Sequence, residues 1–197
     1  MWSKPERWLA DASAQFTQLL DYYLSDEGKM HLAAINQWAK TEGPDADDKL
    51  LHYAMEGIRL NGTFGSYRVS TVTKTVDDGG RAVPVKAGDK VFTSFVGANR
   101  EAEFFPDPNT VRVDRPMENY LHYGLGPHAC LGGEASRTGL TAMLRVVGRL
   151  DNLRRAPGPQ GQLKKIARPG GFHLYMRKPR SPARLFHGRR AGRVESG

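Results

Sequence analysis

The stretch from Tyr123 to Gly133, YGLGPHACLGG, holds the only cysteine of a 197-residue chain. A single thiol closes no intramolecular disulfide, which leaves Cys130 three roles: a buried small hydrophobe, a nucleophile or a metal ligand. Glycines on either side permit positive φ and let a flat ligand come close to the backbone. A thiolate where a helix begins is stabilised by the positive end of the helix dipole and by backbone N–H groups. Apolar Leu131 beside the thiol, and the lack of a nearby Asn/His pair, argue for a metal ligand over a nucleophile. Zinc asks for four ligands, which the sequence does not cluster, whereas a haem iron needs one protein thiolate.

The elements that must position this loop are legible from periodicity. Leu9, Phe16, Leu19, Leu20, Tyr23 and Leu24 recur at helical spacing, and Ile35 and Trp38 predict a second short helix. Gly43-Pro44-Asp45 breaks the chain. The acidic run DADD then opens a third helix, where carboxylates suit the positive end, and this helix closes at Gly62. YRVSTVTKTV alternates β-branched with polar residues and reads as a strand before the hairpin turn Asp77-Asp78-Gly79-Gly80. VPVKAGDKVFTSFVG predicts two more short strands around Ala87-Gly88-Asp89. FFPDPNTVRVDRP, with three prolines, predicts an ordered but irregular loop. A buried helix follows Cys130 through Leu140, Met143, Leu144 and Val147, and GGFHLYM suggests a last strand. The fold class is mainly α with small β-sheets (α+β).

The net charge of +8 is unevenly placed. Residues 177–197 contain seven Lys/Arg and one Glu, and so carry six of the eight charges. This segment reads as a basic disordered tail, separate from a body spanning residues 1–176. No aromatic residues interleave with its arginines as a base-stacking platform would need, which argues against nucleic acid as a partner. No stretch approaches the roughly 20 apolar residues of a transmembrane segment, and the N-terminus lacks a signal-peptide core. The expected location is cytoplasmic or peripherally membrane-associated.

YGLGPHACLG resembles the haem-binding loop of the cytochrome P-450 family, Phe-x-x-Gly-x-x-x-Cys-x-Gly. Tyr123 stands for the aromatic Phe, Gly126 and Gly132 match, and Cys130 falls on the proximal thiolate. Glu56-Gly-Ile-Arg59 matches the family's Glu-x-x-Arg helix, 74 residues before the cysteine. Positions three apart share a helix face, and Arg offers a bidentate fork to a buried carboxylate. ANREAEFFPDPNTVRVDRP is similar to the family's meander, with Arg115 placed to complete a buried cluster with Glu56 and Arg59. Arg68 and His128 occupy positions whose side chains bind the haem propionates in the family. Taken singly, Glu56 and Arg59 would be an ordinary surface pair, His128 a loop histidine and Arg68 a solvated strand residue. The Cys loop ranks the family reading above these. His31, His52, His122, His173 and His187 have no such support and read as structural or exposed.

The resemblance implies the C-terminal, haem-proximal half of the cytochrome P-450 fold. Cys130 is the implied iron ligand of haem b, with Tyr123, Gly124, Gly126, Gly132, His128 and Arg68 around the cofactor. LHYAMEGIRLNGTFGSYR, DRPMENYLHYGLGPHACLG and LRRAPGPQGQLKKI further resemble the P-450 domain of fungal fatty-acid dioxygenase fusions of the linoleate diol synthase and psi-factor-producing oxygenase group. In that group the domain isomerises a fatty-acid hydroperoxide to a diol; a conventional monooxygenase would instead use two electrons and dioxygen. The implied partners are haem, a lipid-like small-molecule substrate, and either the missing N-terminal domains or a redox partner. A complete domain of the family is more than twice as long, so the chain is expected to begin within or just after the distal helix. Asp11 and Gln15 then stand near the peroxide-handling positions. The alternative is a truncated, non-catalytic fragment with a structural or interaction role.

Overall fold

The computed structural model describes residues 5–62, 65–78, 80–163, 167–168 and 171–172; for 5–13, 78, 160, 167–168 and 171–172 it describes the backbone. The side chain of Asp11, the histidines His173 and His187, and the basic tail lie outside the described residues.

The architecture is mainly helical with small sheets, in agreement with the periodicity. Helix α1 (Pro5–Tyr23), α2 (Leu32–Lys40) and α3 (Pro44–Asn61) precede four short strands, β1 (Gly65–Val69), β2 (Lys74–Asp78), β3 (Arg81–Val85) and β4 (Lys90–Ser94). A short helix α4 (Phe95–Ala98), a long irregular segment, α5 (Gly133–Gly148) and the two-residue strands β5 (Ala167–Arg168) and β6 (Gly171–Phe172) complete it. Among the described residues no helix is long and apolar enough to cross a membrane.

Helix α3 is the axis of the packing. Pro44 fits its first turn, where the missing N–H costs nothing, and Asp45 and Asp47 favour the positive end. Every residue from His52 to Arg59 is buried, so this helix is enclosed on all sides by α1, α2, α5 and the irregular segment. Tyr23 of α1 donates its hydroxyl to the carbonyl of Tyr53 at 2.6 Å. Gly57 faces the same ring, and a Cβ there would stand 2.9 Å from Tyr23 Cε2 and 3.2 Å from Leu19 Cγ. The missing side chain is what lets α1 and α3 approach.

The strands depart from the expected order. The run 67–76, read as one strand, is divided between β1 and β2. Ser70 breaks it: its hydroxyl donates to the Val72 carbonyl at 2.7 Å, a local bond that competes with an extended ladder. Its backbone pairs instead across the Ala87–Asp89 turn, through Ser70 N to Asp89 O and Gly88 N to Ser70 O. That turn therefore joins β3 to β4 without making them a hairpin. β2 pairs with β3 antiparallel, Asp78 opposite Arg81, and β4 returns to β1, Gly65 opposite Ser94. The result is one two-stranded pair nested inside another.

Candidate functional site

Glu56 and Arg59 lie on the buried face of α3, with 0% and 1% of their surface exposed. Arg59 grips the carboxylate bidentately, Nε to Oε1 at 2.7 Å and Nη2 to Oε2 at 2.8 Å. Arg115 Nε stands 3.4 Å from the same Oε1. Two buried guanidinium groups thus share one carboxylate, and backbone carbonyls take up the rest of their donors. Arg59 donates to the carbonyls of Asn99, Pro108 and Thr110; Arg115 donates to those of Pro106, Asp107 and Thr110. Phe105 packs beneath both, 5.1 and 5.6 Å from their charged carbons, where its π face adds attraction. The cluster ties the irregular segment to α3 and so fixes where the Cys130 loop starts.

Three participants carry no sequence signal of their own. Tyr120 donates its hydroxyl to Glu56 Oε1 at 2.7 Å, and the backbone N–H of Arg112 donates to Oε2 at 3.0 Å. Burial, reinforced by the Glu56 charge, pushes the Tyr120 phenol far above its usual range, so it stays a donor. His122 is buried and stacks on Tyr120 at 5.9 Å. Burial pushes its imidazole down to about 3, against the opposing effect of a backbone hydrogen bond with Ile58. His52 is buried too, bridging the carbonyls of Asp48 and Arg115. Both histidines are structural.

The loop from Tyr123 to Gly133 is built on positive-φ glycines, Gly124 at 73° and Gly126 at 62°. Within it the Cys130 N–H donates to the Tyr123 carbonyl at 2.7 Å and the Gly133 N–H to the Cys130 carbonyl at 3.0 Å. Gly132 is the N-cap of α5. The thiol is free and exposed, which removes the buried-hydrophobe role. Leu125 and Leu131 of the same loop are 75% and 85% exposed. Among the described residues no group of three or more His, Cys, Asp or Glu could hold a metal ion. One exposed sulfur in a loop with positive-φ glycines and exposed leucines fits a flat, apolar haem.

The remaining predicted residues fall in two places. His128 lies in the exposed 3-10 turn Gly126–His128 of the same loop. Arg68 is exposed on β1, donating to the Tyr67 carbonyl and lining a cleft of about 490 Å³ between the strand pairs with Lys74, Arg81 and several valines. Gln15, on α1, is buried and accepts the Tyr123 hydroxyl at 3.1 Å. The structure thus brings Glu56, Arg59 and Arg115 together, and Cys130, Tyr123, Gly124, Gly126, Gly132 and Gln15 together, with Arg68 in the cleft between the strands.

The fold is that of solved cytochromes P-450. The crystal structure of CalO2 superposes with a TM-score of 0.61 at 21% identity, over 75% of this chain and 34% of that one. The Tepidiphilus thermophilus P-450 haem domain gives 0.56 at 22%, over 81% and 36%. Sequence relatives are much nearer. A bifunctional dioxygenase-epoxy alcohol synthase of Pyricularia oryzae is 55% identical over 165 residues, 83% of this chain and 14% of that protein. The chain belongs to the family of these fungal dioxygenase-epoxy alcohol synthase proteins, and its fold is that of the cytochromes P-450. No family model matches it. A linoleate 10R-lipoxygenase of Aspergillus fumigatus is 52% identical over 179 residues, 90% of this chain and 16% of that protein. A linoleate diol synthase of Gaeumannomyces graminis is 33% identical over 198 residues, 88% and 17%. The chain therefore spans about a seventh to a sixth of the length of the curated relatives it matches, and about a third of these solved chains.

Proposed function

We propose that the chain forms the proximal half of a haem-thiolate site that acts on fatty-acid hydroperoxides, isomerising them to diols or related products. The observation that carries this is the exposed Cys130 in a glycine-hinged, leucine-flanked loop anchored by the buried Glu56, Arg59 and Arg115 cluster. The names of the fatty-acid oxygenases and synthases at 33–55% identity support the substrate class.

In this reading Cys130 donates its sulfur to the iron of haem b. Gly126 leaves the backbone free to approach a planar ring, since a Cβ there would meet open space and its φ of 62° disfavours most side chains, while at Gly124 a Cβ would stand 3.0 Å from the His128 carbonyl oxygen. Leu125 and Leu131 shield the sulfur side from water once covered. His128 and Arg68 offer a donor and a cation for two propionates. Haem, when bound, supplies the cleavage of the substrate's O–O bond, which thiolate donation promotes. Hydroperoxide and diol are isomers, so this chemistry balances without dioxygen or external electrons. A monooxygenase reading would add a redox partner.

Reconstituted chain is expected to show a thiolate-type Soret band in its reduced carbon monoxide complex, and Cys130→Ala to abolish it. Absence of that band in the unaltered chain would end the haem-thiolate reading. Consumption of a linoleate hydroperoxide, lost in Cys130→Ala, separates an enzyme from the alternative, a truncated non-catalytic fragment with a structural or interaction role.

A further inference from the structure

Tyr123 departs from the Phe of the motif by one hydroxyl, and the structure gives that hydroxyl specific work. It donates to Gln15 Oε1 at 3.1 Å across 108 residues of sequence. Both Tyr123 and Gln15 are 8% exposed. The Tyr123 carbonyl accepts the Cys130 N–H, its ring lies under the Arg137 guanidinium at 5.4 Å, and Gly133 packs against its Cβ. One residue therefore links α1 through its hydroxyl, Cys130 through its carbonyl and the start of α5 through its ring.

We propose that Tyr123 is a positioning residue: its hydroxyl, held by Gln15, braces α1 against the Cys130 loop and sets where the sulfur is presented. Gln15 then acts as the acceptor of this strut through its side-chain carbonyl oxygen. The consequence for the iron ligand rests on the haem-thiolate reading above; the strut itself does not. A phenylalanine keeps the ring and loses the link, so the Cys130 loop opens more often while the remainder of the fold is retained.

Three variants of the full chain test this: Tyr123→Phe, Gln15→Met, and the two together. Removing one partner orphans a buried polar group, whereas removing both restores an apolar contact and most of the global stability. A merely stabilising bond would therefore be repaired in the double variant. The strut predicts otherwise. Amide hydrogen exchange at Cys130 and Gly133 should rise about tenfold in Tyr123→Phe and stay raised in the double variant, although its unfolding midpoint returns close to that of the parent. Exchange in α2 should not change. In the haem complex, both variants should convert faster from the thiolate-type to the thiol-type carbon monoxide spectrum. Unchanged exchange at Cys130 in Tyr123→Phe, or its return together with the midpoint in the double variant, overturns the proposal. A parent chain without a thiolate spectrum would refute the haem site alone, leaving the exchange measurement to decide the strut.

Discussion

Replacing Glu56 by Gln tests whether the buried cluster holds the proximal half together. The substitution keeps the shape and removes the charge that two enclosed guanidinium groups share. Gln offers one carbonyl oxygen where Arg59 Nε, Arg59 Nη2, the Tyr120 hydroxyl and the Arg112 N–H now find two, and its amide protons would face donors. Breaking a buried ion pair by removing one partner costs about 3–5 kcal/mol. A domain is stable by about 5–15 kcal/mol, so the loss is a large share of the whole. At roughly 2–4 °C per kcal/mol for a chain of this size, the melting temperature should fall by about 6–20 °C. Thermal unfolding followed by circular dichroism measures it, with Asp114→Asn as the control. Asp114 pairs with Arg112 on the surface, where ion pairs contribute little, and its loss should leave the midpoint where it was. A Glu56→Gln midpoint shift equivalent to less than about 1 kcal/mol, or an equal shift in the control, would refute the reasoning.

Two further predictions concern the packing around this cluster. His122 has a folded-state pKa near 3 against an ordinary 6.5. The unfolded chain therefore takes a proton that the folded one refuses. Its contribution is whole above about pH 6.5 and is lost as pH falls toward 3, at up to about 1.4 kcal/mol per pH unit. His122→Gln should flatten the stability-against-pH curve between pH 6.5 and 4 by about that slope; an unaltered curve would mean that the imidazole is protonated in the folded chain. Gly57→Ala should destabilise by about 1–3 kcal/mol despite better helix propensity, because the Tyr23 ring 2.9 Å away is tethered by its bond to the Tyr53 carbonyl. A raised melting temperature would show that α1 can move aside.

Local pattern carried much of the fold into view. Helices α1, α2, α3 and α5 follow from apolar spacing and from breakers such as Gly43-Pro44, since a helix shows its buried face every three to four residues. The Cys130 loop and the Glu-x-x-Arg pair were legible for the same reason, each lying within one short stretch. Strand pairing was less so: alternation marks a strand but not its partner, and a hydroxyl at Ser70 together with the return of β4 to β1 decided the nesting. The roles of Tyr120, His122 and Arg112 were invisible because they act across 56 to 64 residues, through bonds that no local spacing encodes.

The sequence by itself determined the chemistry available: one thiol, hinged by glycines, and one carboxylate in helical register with a guanidinium. Tertiary structure decided how those groups are used. Enclosing α3 on all sides turned Glu56 and Arg59 from a possible surface pair into a buried clamp on the irregular segment. Docking α1 beside the loop gave Gln15 the Tyr123 hydroxyl as its partner. The physical reason is desolvation. A charge or hydroxyl acquires a fixed partner when packing removes its water, and which partner is nearest depends on helices that meet only in the folded chain.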